Sequence, residues 1–83
     1  MKMDEKIRKV LAAHGKLAVD VETLGVDDDL FAAGLTSHAS VNVMLGLEDE
    51  FDVEFPDEDL KKSTFASIHN LSETVGRLVD EAA

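Results

Sequence analysis

The sequence contains no cysteine, no tryptophan and no tyrosine, and it has a single proline. The missing thiols exclude disulfide bonds, thiolate metal sites and cysteine nucleophiles. No apolar run reaches the length of a membrane span, and the first residues lack the apolar core of a signal peptide. We therefore expect a cytoplasmic protein.

Basic residues are also scarce. Eight Lys and Arg stand against eighteen Asp and Glu, which gives a formal net charge of −10. Residues 17–60 contain thirteen of the acidic residues and no Lys or Arg. Phosphate backbones and anionic lipid surfaces repel such a chain, which argues against nucleic-acid and membrane binding. Its partners should present basic surfaces.

The length of 83 residues, 45% of them hydrophobic, is typical of one small folded domain with a modest core. We expect that domain to span residues 1–83 and to be a monomer.

The first predicted helix starts with Asp4 as its N-cap and ends at Gly15, because the apolar residues between them recur at helical spacing. The apolar residues of positions 17–36 show no helical or strand periodicity. A connection of this length in a small domain is more often functional than idle. We expect apolar side chains to pin it to the core and a short helical turn to follow Asp29.

The second predicted helix begins at Thr36 or Ser37, either of which can act as its N-cap, and ends near residues 51–52. Residues 53–55 alternate like a strand but run into a proline, so we interpret them as an extended link. A one-turn helix is predicted over residues 56–60, with the proline at its first position.

The last predicted helix is capped by Ser63 or Thr64 and is apolar on one face through Val79. The expected fold is all-α: a small four-helix bundle with three main helices, one short helix and a long first loop. The predicted core comprises Ile7, Val10, Leu11, Leu30, Phe31, Leu35, Val43, Leu47, Phe51, Val53, Phe55, Phe65, Ile68, Leu71, Val75 and Leu78.

The patterns of common catalytic and metal sites are missing from the sequence. The three histidines, His14, His38 and His69, fall in different predicted elements, so a shared metal site is not expected. The acidic stretch that starts at Asp27 places Ala32 where a calcium loop of the EF-hand type needs glycine. We therefore do not expect an enzyme.

One serine has a context that goes beyond a simple helix cap. Ser37 follows Gly34 and Leu35 and precedes an acid-flanked amphipathic helix. The run from Asp29-Leu-Phe-Ala-Ala-Gly-Leu-Thr-Ser37 through Val41-Asn-Val-Met-Leu-Gly-Leu-Glu-Asp-Glu-Phe51 to Phe55-Pro-Asp57 resembles the acyl carrier protein family. Residues 32–35, 39–41, 44–47 and 64–68 look most similar to stand-alone aminoacyl carrier proteins.

The resemblance implies that Ser37 receives 4′-phosphopantetheine, whose thiol carries an acyl or aminoacyl group as a thioester. It implies three partners: a phosphopantetheinyl transferase, an amino acid:carrier protein ligase similar to a truncated class II aminoacyl-tRNA synthetase, and a downstream acceptor enzyme. Thr36 and His38 replace the Asp and Leu that usually flank the serine, and we expect them to affect partner recognition. Independently, the positive end of a helix favours an attached phosphodiester.

Helical spacing also predicts a partner-binding surface. Residues four, eight and eleven positions after Ser37 share its side of the helix, whereas Val43 and Leu47 face the core. We expect an apolar contact beside the arm, flanked by acids that pair with Arg and Lys of partners. The apolar residues are Val41 and Leu45, and the acids are Glu48, Asp49, Asp28 and Asp29.

Two hypotheses remain open from the sequence. The first is a non-enzymatic carrier protein with a covalent arm on Ser37. The alternative is an unmodified acidic helical adaptor or inhibitor that binds a basic protein surface.

Overall fold

Three α-helices form the frame of the protein in the computed structural model, which describes residues 2–82. They are α1 (Lys2–His14), α2 (Ser37–Phe51) and α3 (Ile68–Ala82), and short 3₁₀ turns span Val21–Thr23, Asp57–Asp59 and Lys62–Phe65. Residues 2–82 contain no strand. The predicted all-α fold is therefore confirmed, and no helix in the described range is long and apolar enough to cross a membrane.

The start of α1 differs from the prediction. The helix begins at Lys2, so Asp4 is not its N-cap but lies in the first turn together with Glu5. Carboxylates in this turn stabilise the positive end of the helix. The predicted end is confirmed, since α1 stops at His14 and Gly15 follows it.

The start of α3 also differs. The predicted caps Ser63 and Thr64 lie in the 3₁₀ turn, and the cap is instead Ser67, whose Oγ accepts a hydrogen bond of 3.0 Å from the Asn70 amide. A 3₁₀ turn repeats every three residues, so its apolar spacing looks the same as the first turn of a longer helix. The preceding one-turn helix is confirmed as a 3₁₀ turn, with Pro56 before its first residue rather than within it.

The buried core contains the predicted residues except Phe31 and Phe51, which are only half-buried. Sequence analysis missed Val21, which lies in the aperiodic loop, and Ala39, which is small. The predicted link is extended and buries Val53 and Phe55. The Phe55 and Phe65 rings stack with centroids 5.9 Å apart, so this link packs on the turn that precedes α3.

Backbone hydrogen bonds hold the long loop against the rest of the fold. Leu30 N–H donates to the Ala66 carbonyl at 2.7 Å, and His69 N–H donates to the Val26 carbonyl at 2.8 Å. From the other side, Arg8 of α1 donates to the Val21 carbonyl at 2.8 Å. The loop is thus fixed at several points before it reaches α2.

A side-chain pair ties the 57–65 segment to α3. Arg77 donates to the carboxylate of Asp59, which is buried, and this hydrogen bond raises the pKa of Arg77. The carboxylate is therefore not left as an uncompensated buried charge.

Gly46 lies where α2 crosses α1. A Cβ at this position would stand 2.8 Å from Cγ1 of the buried Val10 and 2.7 Å from Cδ2 of His14. Gly76 in α3 is different, because among the described residues a Cβ there would meet only Met3 Sδ, at 4.0 Å.

These two glycines give a matched test of the helix crossing. Gly76→Ala should raise the free energy of unfolding by about 0.5–1 kcal/mol, because alanine favours a helix. Gly46→Ala should lower it by about 1 kcal/mol, because overpacking outweighs the same propensity gain. Denaturant melts of both variants measure this difference. Equal stabilisation by the two substitutions would contradict the close crossing.

Candidate functional site

The hydroxyl of Ser37 stands at the first residue of α2. Its neighbour Thr36 is the N-cap, and Thr36 Oγ1 accepts the Ala39 N–H at 3.0 Å. Ser37 is exposed, and its hydroxyl forms no hydrogen bond with any part of residues 2–82. The sequence allowed either Thr36 or Ser37 as the N-cap of α2. The structure assigns that role to Thr36, so the Ser37 hydroxyl is not used for capping.

The turn before α2 sets the position of this hydroxyl. The Asp29 carboxylate accepts the amides of Phe31 at 2.9 Å and Ala32 at 3.3 Å, which confirms the predicted helical turn after Asp29. Gly34 closes the turn with a φ of 115°, and a Cβ there would lie 2.7 Å from the backbone nitrogen of Ala18. Only glycine fits both constraints.

A partly open groove of about 360 Å³ adjoins the serine; we call it the Ser37 groove. Its lining residues come from the turn before α2, from α2 itself and from the segment that precedes α3. They are Phe31, Ser37, Ser40, Val41, Met44, Leu60, Lys61, Lys62 and Phe65. None of them is acidic, although the chain carries eighteen acidic residues.

The surroundings of Ser37 fit a phosphodiester. Thr36 satisfies the Ala39 amide, whereas the amides of Ser37 and His38 have no acceptor within the described part of the chain. These amides lie at the positive end of α2, which favours an anionic group. The acid-free groove lining adds no repulsion.

The two predicted faces of α2 are present. Val41 and Leu45 are 52% and 53% exposed, whereas Val43 and Leu47 are fully buried. The exposed pair lies along the same side of the helix as Ser37. Large apolar side chains that remain this exposed are available for contact with another molecule.

The predicted partner-binding acids differ in their surroundings. Glu48 Oε2 accepts the Phe55 N–H at 2.8 Å and so holds the extended link against α2. Asp28 accepts the Gly25 amide at 2.8 Å, and Asp29 caps the turn already described. Asp49 is exposed and forms no ion pair or side-chain hydrogen bond within residues 2–82. Three of the four acids therefore also stabilise the backbone locally.

The histidines are not brought together, and residues 2–82 contain no cluster of side chains suited to a metal ion. His38 is exposed and follows Ser37 at the start of α2. Its side chain forms no hydrogen bond or ion pair within residues 2–82. His14 contacts α2 near Gly46, and His69 pairs with Glu73 at 3.3 Å.

Sequence analysis missed most of the groove. Ser40 and Met44 follow Ser37 by three and seven residues, so helical spacing could have placed them beside it. Leu60, Lys61 and Phe65 come from a distant segment, and no local pattern predicts that contact.

Comparisons with known proteins identify the family of the chain. A family model described as "Phosphopantetheine attachment site" matches residues 5–78, a range that includes Ser37. An aminoacyl carrier protein from Agrobacterium fabrum is 47% identical over 78 residues, which is 94% of each chain. Aminoacyl carrier protein 1 from Bradyrhizobium diazoefficiens is 36% identical over 70 residues, covering 84% of this chain and 74% of that protein.

Solved structures show the same similarity. One match is a chain in the crystal structure of an engineered Bradyrhizobium japonicum glycine:[carrier protein] ligase complexed with a carrier protein from Agrobacterium tumefaciens and ATP. Its TM-score is 0.87 at 48% identity, covering 90% of this chain and 97% of that one. A solution structure of an Agrobacterium tumefaciens protein matches with a TM-score of 0.76 at 48% identity, over 96% and 99% of the chains. The chain therefore belongs to the family of carrier proteins that bear a phosphopantetheine attachment site.

Proposed function

We propose that this protein is an aminoacyl carrier whose Ser37 holds the 4′-phosphopantetheine arm. The observation that carries the proposal is the exposed Ser37 hydroxyl at the start of α2, which Thr36 frees from capping. When bound, the arm supplies a terminal thiol that holds an amino acid as a thioester.

The protein contributes position and charge. Ser37 Oγ gives up its proton to the transferase and attacks the phosphorus of the arm's diphosphate-linked donor, which the transferase binds. The P–O bond of that diphosphate breaks, its other phosphate departs with the rest of the donor, and Oγ becomes the ester oxygen of the phosphodiester. The amides of Ser37 and His38 face the negative charge that then lies at the helix end. No general base is needed on this chain, because the transferase and the ligase activate their own substrates. The carrier is therefore proposed to have no catalytic activity of its own.

We propose an amino acid:carrier protein ligase of the class II synthetase-like kind as the loading enzyme. The similarity to a carrier crystallised with a glycine:[carrier protein] ligase supports this partner class. A phosphopantetheinyl transferase and a downstream acceptor complete the proposed set of partners. The cytoplasm is the proposed compartment.

Docking is proposed to use the exposed face of α2 beside Ser37. Val41 and Leu45 offer apolar contact, and Asp49 carries an unpaired charge one turn beyond Leu45 within the described part of the chain. Thr36, His38 and the loop acids border this face. Complementary charge on a basic partner speeds association and sets its orientation.

The adaptor hypothesis explains the acidity but not the arrangement around Ser37. An adaptor needs neither an exposed hydroxyl that makes no capping hydrogen bond nor a groove without acidic residues beside it. The match to a phosphopantetheine attachment family also favours the carrier.

Modification at Ser37 is tested by intact mass after co-expression with phosphopantetheinyl transferases of different specificity. The wild-type chain should gain one phosphopantetheinyl group, and Ser37→Ala should gain none. Ser40→Ala is the matched control: Ser40 also lines the groove, but its Oγ donates to the Ser37 carbonyl at 2.7 Å. The control should be modified normally. Modification of Ser37→Ala would overturn the assignment.

The docking charge is tested with Asp49→Lys in a ligase loading assay. At low salt we expect kcat/KM for the carrier to fall roughly tenfold, because charge complementarity raises the association rate. The loss should shrink at high salt. Asp49 is preferable to Glu48, whose reversal would also break its hydrogen bond to the Phe55 amide.

Asp80→Lys provides the control for net charge. Asp80 is an exposed residue of α3, and its reversal changes the total charge by the same amount. Its loading rate should stay close to that of the wild type. Equal losses in both variants would mean that only net charge matters, which would contradict docking through this face of α2.

A further inference from the structure

Two lysines directly follow the acidic stretch of residues 17–60. Between residues 17 and 76, Lys61 and Lys62 are the only basic residues apart from histidine. Both are exposed, and both line the Ser37 groove. Positive charge in this region is therefore concentrated beside the proposed attachment residue.

Neither lysine is engaged by a carboxylate. Within residues 2–82 the ion pairs involve Lys9, His69 and Arg77, and none involves Lys61 or Lys62. Since the groove lining contains no acid, an anion placed in it would contact no carboxylate of the lining.

The Lys62 ammonium is also directed toward the groove. Its Nζ lies 5.1 Å from the centroid of the Phe31 ring, and Phe31 is itself a lining residue. A cation over an aromatic face is held there by the ring quadrupole. The ammonium is thus kept at the groove wall, where a flexible lysine would otherwise extend into solvent.

We propose that Lys61 and Lys62 bind the phosphodiester of the arm, a proposal that rests on Ser37 being the attachment residue. In the free holo protein, the amides at the start of α2 face the phosphate from one side and the two ammonium groups from the other. The rest of the arm then lies along the apolar lining formed by Val41, Met44 and Phe65.

In this arrangement the arm of the free holo protein lies folded against the groove. A partner enzyme must draw the arm out of the groove, so its own interactions with the arm must exceed those of the two lysines. The lysines would thereby set how readily the thiol reaches an enzyme, without taking part in the acyl transfer.

The test compares amide chemical shifts of the apo and holo forms by two-dimensional NMR. Intact mass first establishes that each variant carries the arm. In the wild type, attachment should shift the amides of Met44, Lys62 and Phe65 as well as those next to Ser37. In a Lys61→Gln/Lys62→Gln variant the distant shifts should fall by roughly half or more, as they should in the wild type at about 0.5 M salt.

Two further variants make the result specific. Lys61→Arg/Lys62→Arg keeps the charge and should retain the shifts. Lys9→Gln removes one positive charge at the opposite end of α2, where Lys9 pairs with Glu50 at 3.5 Å, and it should leave the shifts unchanged. Thermal melts of all variants check that the fold is intact.

The outcomes separate this inference from the proposed function. If Ser37 is not modified, the carrier function itself fails. If the holo protein forms but Lys61→Gln/Lys62→Gln leaves the groove shifts at wild-type size, the lysine contact is wrong and the carrier function stands. If that variant keeps the groove shifts and only slows loading by the ligase, the lysines contact a partner enzyme and not the arm. The lysine contact is then also wrong, and the carrier function again stands.

Discussion

The hydrogen bond from the Ala39 amide to Thr36 Oγ1 is the interaction on which the site depends. A helix start needs a side-chain acceptor, and serine is among the best residues for that task. Here threonine fills the role one position earlier. Ser37 therefore enters the helix as its first residue with its hydroxyl exposed. The groove, the free amides and the apolar face of α2 are all arranged around a hydroxyl that the fold itself does not consume.

Some acidic residues hydrogen-bond to the backbone, and others do not. Asp28, Asp29 and Glu48 accept backbone amides and so fix the turn before α2 and the link after it. Asp49 has no such role in the described structure. A stretch without Lys or Arg can thus be structurally ordered, because its carboxylates find backbone donors where cationic side chains are missing. Its negative field comes from residues that also define the backbone path.

Local patterns predicted the parts of the fold that local physics determines. The extent of α2 follows from its capping residues and its apolar spacing, and Val43 and Leu47 are buried as that spacing predicts. The predicted start of α3 was wrong because Ile68 comes three positions after Phe65, a spacing that fits both a 3₁₀ turn and an α-helix. The resemblance to carrier proteins supplied the proposed role of Ser37, which a capping pattern alone does not give.

The wall of the groove could not be predicted in the same way. Lys61 and Lys62 line the same groove as Ser37 only because of the tertiary fold, and no periodicity links positions so far apart in the chain. Their isolation among acids was visible in the sequence, but its meaning depends on which residues the fold brings next to them.

The pairing of Asp59 with Arg77 anchors one of the two surfaces that adjoin Ser37. The segment with the two lysines is anchored to α3 from behind, while the exposed face of α2 is fixed by its own contacts with α1. Val41 belongs to both surfaces. Substitutions at Lys61 and Lys62 change one surface only, and substitutions at Leu45 and Asp49 change the other only. Under the proposed roles, substitutions at Leu45 and Asp49 would change which enzymes the carrier serves, while substitutions at Lys61 and Lys62 would change how it stores the arm. A protein engineer could then alter either property through the residues that the two surfaces do not share.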